Sequence, residues 1–180
     1  MILRPANVAD ARALLIELGA PERLIRHGEL VGEAADMLIA ALHELGVPVD
    51  AEVVRLGVVL HDAGKIVHAR EFEQPGADHE PAGEELLLAH GVSPKIARMC
   101  LSHARWDAMP VSLEELIVAL ADKLWKGARK PALEERVIDE VASALGKKRW
   151  SLFVTLDTLF EEVAAAGSQR LERSVIGGLR

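Results

Sequence analysis

The stretch PERLIRHGELVGEAADMLIAALHELG, residues 21–46, constrains the fold more than any other part of the chain. Leu24, Val31, Leu38 and Leu45 recur along it as one apolar stripe, which is helical spacing. Pro21 suits a first helical turn, where its missing N–H leaves no bond unmade. The rest of the chain has the same texture. ADARALLIELG reads as a short helix stopped by Gly19, and Asp50 caps a helix carrying Val53, Val54, Leu56, Val58, Val59 and Leu60. Gly64 is placed as that helix's left-handed stop.

A polar loop, EFEQPGADHEP, precedes a helix through AGEELLLAH that ends at Gly91. Ser93-Pro94 opens KIARMCLSHA, and the Ser112/Glu115 capping box opens LEELIVALADKLWK. Beyond GARKP come ALEERVIDEVASALG and WSLFVTLDTLFEEVAAAG, the latter containing LFVTL, which has local strand character. No strand alternation, internal repeat or low-complexity linker stands out elsewhere. The expectation is an all-α fold, a compact bundle of seven to eight helices forming one domain over residues 1–180. Its motif core spans residues 21–130, C-terminal helices span 131–167, and residues 168–180, beginning SQRLERSVIGG, form a peripheral tail.

Composition narrows the function classes. The net charge of −7 argues against stable nucleic-acid binding, although a local basic pocket can still take a small anion. The single cysteine, Cys100, excludes an intrachain disulfide and a CxxC metal site, and fits a reducing cytoplasm. The opening MILRPANVADAR does not read as a signal peptide, and no apolar run approaches the ~20 residues a membrane helix needs. A soluble cytoplasmic protein is expected, with a homodimer open as an assembly.

The chemistry lies in polar residues that share apolar faces. His27 falls between Leu24 and Val31 at helical spacing and points inward. His61-Asp62 ends the apolar helix that starts near Asp50, where the helix dipole favours a bound cation. Asp122 sits inside LIVALADKLW with Val118 and Trp125 along its face, a poor place for an unpartnered carboxylate. His103 shares the stripe of Ile96, Met99 and Cys100, and His79 stands just before a helix whose Gly83, Leu86 and His90 continue its side. His43 and His90 each close a helix before a glycine and read as structural, while His68 stays undecided. Taken singly, each inward histidine is more often a hydrogen-bonded core residue than a ligand. Jointly they converge from separate helices, as a bundle permits. Six nitrogen and oxygen donors without a thiolate suit Fe, Mn, Co, Ni or Zn, and are enough for two ions sharing a carboxylate.

The ordered set His27, His61-Asp62, Asp122 resembles the HD-domain superfamily of metal-dependent phosphohydrolases. LHDAGK is similar to the family's common LHDIGK, DHEPAGEELL and CLSHARW resemble the segments bearing two extra histidines in dinuclear members, and ALADKLWKG matches the final aspartate. The resemblance implies an HD-like helical fold and one or two divalent ions. His27, His61, Asp62 and Asp122 would hold one, and Asp62 with His79 and His103 the other. It implies hydrolysis of a phosphate ester or anhydride by activated water; from its place within one turn of His61-Asp62, Lys65 is expected to join Asp62 as a catalytic residue. Lys65, Arg105, Lys126 and Arg129 are the expected substrate contacts, and Lys123, Lys130 and Trp106 lie near enough in sequence to join them. The absence of a GYP stretch after His103 points away from cyclic-di-GMP phosphodiesterases, and HDAGK lacks the acidic pair of alarmone hydrolases. The small partner expected is therefore a phosphorylated substrate, a nucleotide by resemblance to small nucleotide hydrolases. Two other readings compete: a di-iron oxygenase on the same ligand set, and a metal-binding regulatory or interaction module.

Overall fold

In the computed structural model, residues 5–175 are described. The chain order is α1 (Val8–Glu17), α2 (Glu22–Glu44), α3 (Ala51–Leu60), 3-10 turns at Ala63–Ile66 and Ala69–Phe72, α4 (His79–Ala89), α5 (Pro94–Ala97) and α6 (Met99–Arg105). It continues with α7 (Leu113–Leu124), α8 (Pro131–Leu145), α9 (Arg149–Ala165) and α10 (Gly167–Ser174). The fold is all-α, with no strand among the described residues. LFVTL is helical within α9, because Leu152, Leu156, Phe160 and Val163 bury at helical spacing and tertiary packing overrides local propensity. The segment expected as one helix from Ser93 is α5 and α6, interrupted at Arg98.

The centre of the bundle is α7. Leu116, Ile117, Val118, Ala119, Leu120 and Ala121 are all fully buried, so this helix is apolar on every side, as a core helix must be. Its start is held by the capping box foreseen for Ser112 and Glu115. It packs against α2, α3, α6 and α8. On α2, Leu24, Val31 and Leu38 are buried as one face, and α1 closes over α3. Asp50 accepts the Val53 N–H at 3.1 Å and starts α3 as expected.

Two expectations are corrected. Gly64 is not a left-handed stop, since the positive-φ glycines are Gly19, Gly46, Gly91, Gly127 and Gly146. The chain leaves α3 through Asp62 (φ −104°, ψ 14°) into a 3-10 turn. Gly64 is needed for space, because a Cβ there would lie 1.8 Å from the His79 carbonyl oxygen and 2.6 Å from the Gly83 nitrogen. The turn after His61-Asp62 and the start of α4 therefore cross backbone on backbone. The stretch from residue 168, expected as a peripheral tail, forms most of α10, and Arg170 is buried there, donating to the Val163 carbonyl at 2.8 Å. The remainder of that tail, residues 176–180, lies outside the described residues.

Gly64→Ala is expected to cost about 3 kcal/mol or more in denaturant unfolding, because the added methyl meets backbone that cannot swing aside. Gly32→Ala, within α2 and with only the Val58 side chain at 3.9 Å, is expected to stabilise by roughly 0.5–1 kcal/mol through helix entropy alone. Equal effects at the two sites would refute the backbone-crossing account.

Candidate metal centre

Five helices converge on a single carboxylate, that of Asp62. His27 projects from α2, His61 closes α3, Asp62 follows it, His79 opens α4, His103 lies late in α6 and Asp122 late in α7. All six residues expected as ligands meet there. His27 Nε2 lies 3.3 Å from His61 Nε2, 3.4 Å from Asp62 Oδ2 and 3.3 Å from Asp122 Oδ1. His61 Nε2 lies 3.4 Å from Asp122 Oδ1 and 3.8 Å from Asp62 Oδ2. Donors each ~2.0–2.2 Å from one ion stand roughly 3.0–3.5 Å apart, so four of these five edges have the right length for a shared cation and the fifth is slightly long.

The other Asp62 oxygen faces the remaining histidines. Oδ1 lies 3.3 Å from His79 Nε2 and 3.7 Å from His103 Nε2. His79 Nε2 is buried and makes no hydrogen bond, which is a costly state for a ring nitrogen unless a further group occupies the space before it. Three overlapping groups at this centre, His27 with His61 and Asp62, His61 with His103 and Asp122, and Asp62 with His79 and His103, could each hold a metal ion.

Ring orientation is set from behind. His61 Nδ1 bonds the Val58 carbonyl at 2.8 Å and His103 Nδ1 the Met99 carbonyl at 3.0 Å, each within its own helical stretch. His79 Nδ1 bonds the Glu71 carboxylate. Protons held at Nδ1 leave Nε2 lone pairs facing the centre.

Both aspartates stay anionic despite their burial. Burial favours neutral Asp62, yet His61, His79, His27 and Lys65 hold its carboxyl well below the usual range. Asp122 is likewise opposed by burial but kept anionic by His27, His61 and Lys123. Burial also disfavours charge on His61, and the two aspartates outweigh it and raise its pKa. For His103, burial and the nearby His61 push the pKa down to about 4, so this ring is a neutral donor at neutral pH.

The centre opens into a cavity of about 490 Å³ lined by Arg23, Lys65, Lys123, Lys126, Phe72 and Trp125 among others. Lys65 Nζ sits 2.6 Å from Asp62 Oδ2, and Lys123 Nζ 2.8 Å from Asp122 Oδ2. Of the expected substrate contacts, Lys65 and Lys126 face the cavity and two others do not. Arg105 turns to the buried Glu80 at 2.6 Å, and Arg129 makes a two-pronged contact with Glu134 at 2.8 Å and a third bond to Asp157 at 2.6 Å. Trp106 is buried in the core, and Trp125 takes the place beside the cavity, edge-on to His27 at 5.1 Å. His43 and His90 bond backbone carbonyls of Val49 and Leu86, as their structural reading required. His68 lies with Glu71 and Asp78 in the loop before α4.

Sequence reasoning missed Arg23, Phe72 and Glu71. Arg23 could have been found, because it stands four residues before His27 and so on the same helix face. Its guanidinium lies 3.8 Å from the Phe72 ring centre, a contact between distant segments that no spacing reveals.

Similarity to known proteins agrees with this geometry. The family model described as HD domain matches residues 24–125. An uncharacterized protein of Methanocaldococcus jannaschii, MJ0778, is 32% identical over 146 residues, which is 73% of this chain and 82% of that protein. Ribonuclease Y of Pseudothermotoga lettingae is 37% identical over 105 residues, 57% of this chain but 19% of that protein. A tRNA (cytidine(56)-2'-O)-methyltransferase of Thermoplasma volcanium is 25% identical over 139 residues, 69% of this chain and 38% of its own length. No solved structure matches the chain. The matched span takes in all six clustered histidines and aspartates in order, and the chain belongs to the HD-domain family, the superfamily of metal-dependent phosphohydrolases.

Proposed function

We propose that this protein hydrolyses a phosphate ester or anhydride of a nucleotide with the help of two divalent ions. The observation that supports it most is the Asp62 carboxylate, with one oxygen among His27 and His61 and the other toward His79 and His103, beneath a cavity lined by four cations. We assign one ion to His27, His61, Asp62 and Asp122, and a second to Asp62, His79 and His103. The unbonded, buried Nε2 of His79 fits such a ligand. The donor set suits Fe, Mn, Co, Ni or Zn. When bound, such ions supply a water that ionises near neutral pH and a counter-charge for phosphoryl oxygens.

The chain's own groups do the rest. Lys65 holds Asp62 in orientation and stands where a phosphoryl oxygen enters, so it is the first substrate contact. Lys123 and Lys126 flank it from the end of α7, and Arg23 faces them from α2. Phe72 and Trp125 offer flat apolar walls for a base. The cavity falls within the roughly 300–1,000 Å³ range of small-molecule sites. Four cations around it favour a phosphate-bearing substrate over the dioxygen of an oxygenase.

The test is metal content of the purified protein beside Asp62→Ala, with all hydrolysis products (inorganic phosphate, nucleotides and shortened RNA) resolved by chromatography for a nucleotide panel and a short RNA in the presence of Mn, Fe or Co. About two ions per chain, lost together with turnover in the variant, is the expected result. Turnover of the RNA alone would move the substrate to a polynucleotide, and metal without hydrolysis of any substrate would overturn the reading.

Two variants separate catalysis from scaffolding. Lys65→Ala is expected to lower kcat/KM by on the order of 10–100-fold, the worth of one charged hydrogen bond. Arg129→Ala should leave kcat/KM within twofold, roughly, yet destabilise the fold by about 1–3 kcal/mol by stranding the buried Glu134. The opposite pattern would restore Arg129 to the substrate.

A further inference from the structure

His79 differs from the other two clustered histidines whose Nδ1 partners are seen. His61 and His103 each bond a carbonyl three or four residues earlier, a partner their own helical stretches supply. His79 is the first residue of α4, so no preceding helical turn offers it a carbonyl. Its ring would otherwise choose its tautomer and tilt freely. Glu71 fills that role from outside the helix.

The Glu71 carboxylate is itself held in place. Oε1 accepts the Asp78 N–H at 3.1 Å, and Oε2 accepts the His79 N–H at 3.2 Å as well as bonding His79 Nδ1. Asp78, at the N-cap position of α4, makes no side-chain capping bond, so Glu71 supplies the acceptor that the free amides at this helix start require. The approach also needs Gly76, where a Cβ would lie 2.4 Å from Glu71 Oε1. One carboxylate from the loop thus caps α4 and points the Nε2 of His79 at Asp62.

We propose that Glu71 is the positioning residue that lets the second half of the centre hold an ion, and that the loop carrying it sets whether the protein carries one ion or two. The proposal rests on the assignment of His79 as a ligand. The first half has no such dependence, since His61 is oriented from within α3 and Asp122 belongs to the buried α7. Glu71 acts through His79 and touches neither substrate nor the reacting atoms.

The test is metal stoichiometry and Mn(II) or Co(II) affinity, read by elemental analysis and titration, for the wild type and for Glu71→Ala, Glu71→Gln, Gly76→Ala and His79→Ala, with thermal melting as the folding control. Glu71→Ala should retain one tight ion and bind the second about 10–100-fold more weakly, the range typical for loss of a histidine's outer partner. Gly76→Ala should do the same while keeping the glutamate, because its methyl pushes the carboxylate aside. Glu71→Gln should weaken the second ion less than Glu71→Ala does, since its amide oxygen can still accept from His79 although its NH2 cannot accept the Asp78 N–H. If His79→Ala loses the second ion while Glu71→Ala and Gly76→Ala bind it normally, Glu71 has no positioning role and the ligand assignment stands. If His79→Ala keeps both ions, the ligand assignment fails and the proposal fails with it. Equal weakening of both ions in Glu71→Ala, or a Gln variant as impaired as the Ala variant, would also overturn it. Should Glu71→Ala fail to fold, Gly76→Ala and Glu71→Gln decide the matter alone.

Discussion

Everything in this molecule is arranged around a carboxylate that an apolar core would ordinarily reject. Asp62 is buried at the end of a helix of valines and leucines, and its two oxygens face different histidine pairs. Burying such a charge without partners is costly, and here the cost is offset by imidazoles, by Lys65 and by space for cations between them. The helices converge because their ends must deliver those partners to one point. The central helix α7 is apolar on all sides, which fixes where Asp122 stands relative to α2 and α3.

The two halves of the centre are built by different means. The His27, His61 and Asp122 side is carried by helices whose apolar faces interlock. The His79 side depends on a helix start, a glycine crossing and a loop. Gly64 and Gly83 allow α4 to approach the turn after Asp62 closely, and the loop then aims the ring. Packing confers rigidity on the first half, whereas hydrogen bonds from a partly exposed loop govern the second.

Helix geometry also arranges the cavity. Arg23 lies four residues before His27, Lys126 four after Asp122, and Lys65 three after Asp62. These three lie three or four residues from a clustered residue, and Lys123 directly follows Asp122, so the short chain distance to the donors brings the cations to the cavity. Arg105 and Arg129 are close in sequence but miss this register, and each is taken up by a buried glutamate.

Much of this was legible in the chain alone. Helical periodicity, the caps at Asp50 and Ser112, and the order of inward histidines and aspartates determined an all-α fold and named the six residues that cluster. These signals are local, or depend on which face of a helix a residue occupies, and spacing records both. Other features had no local signature. The role of Gly64 depends on α4 crossing it, the helical state of LFVTL on burial against neighbouring helices, and the burial of Arg170 on where α10 docks. The contacts of Glu71 with His79 and of Arg23 with Phe72 join segments separated by loops. Only tertiary structure decided these, because a turn's direction and a side chain's partner across space are set by packing of the whole chain and leave no periodic trace in the sequence.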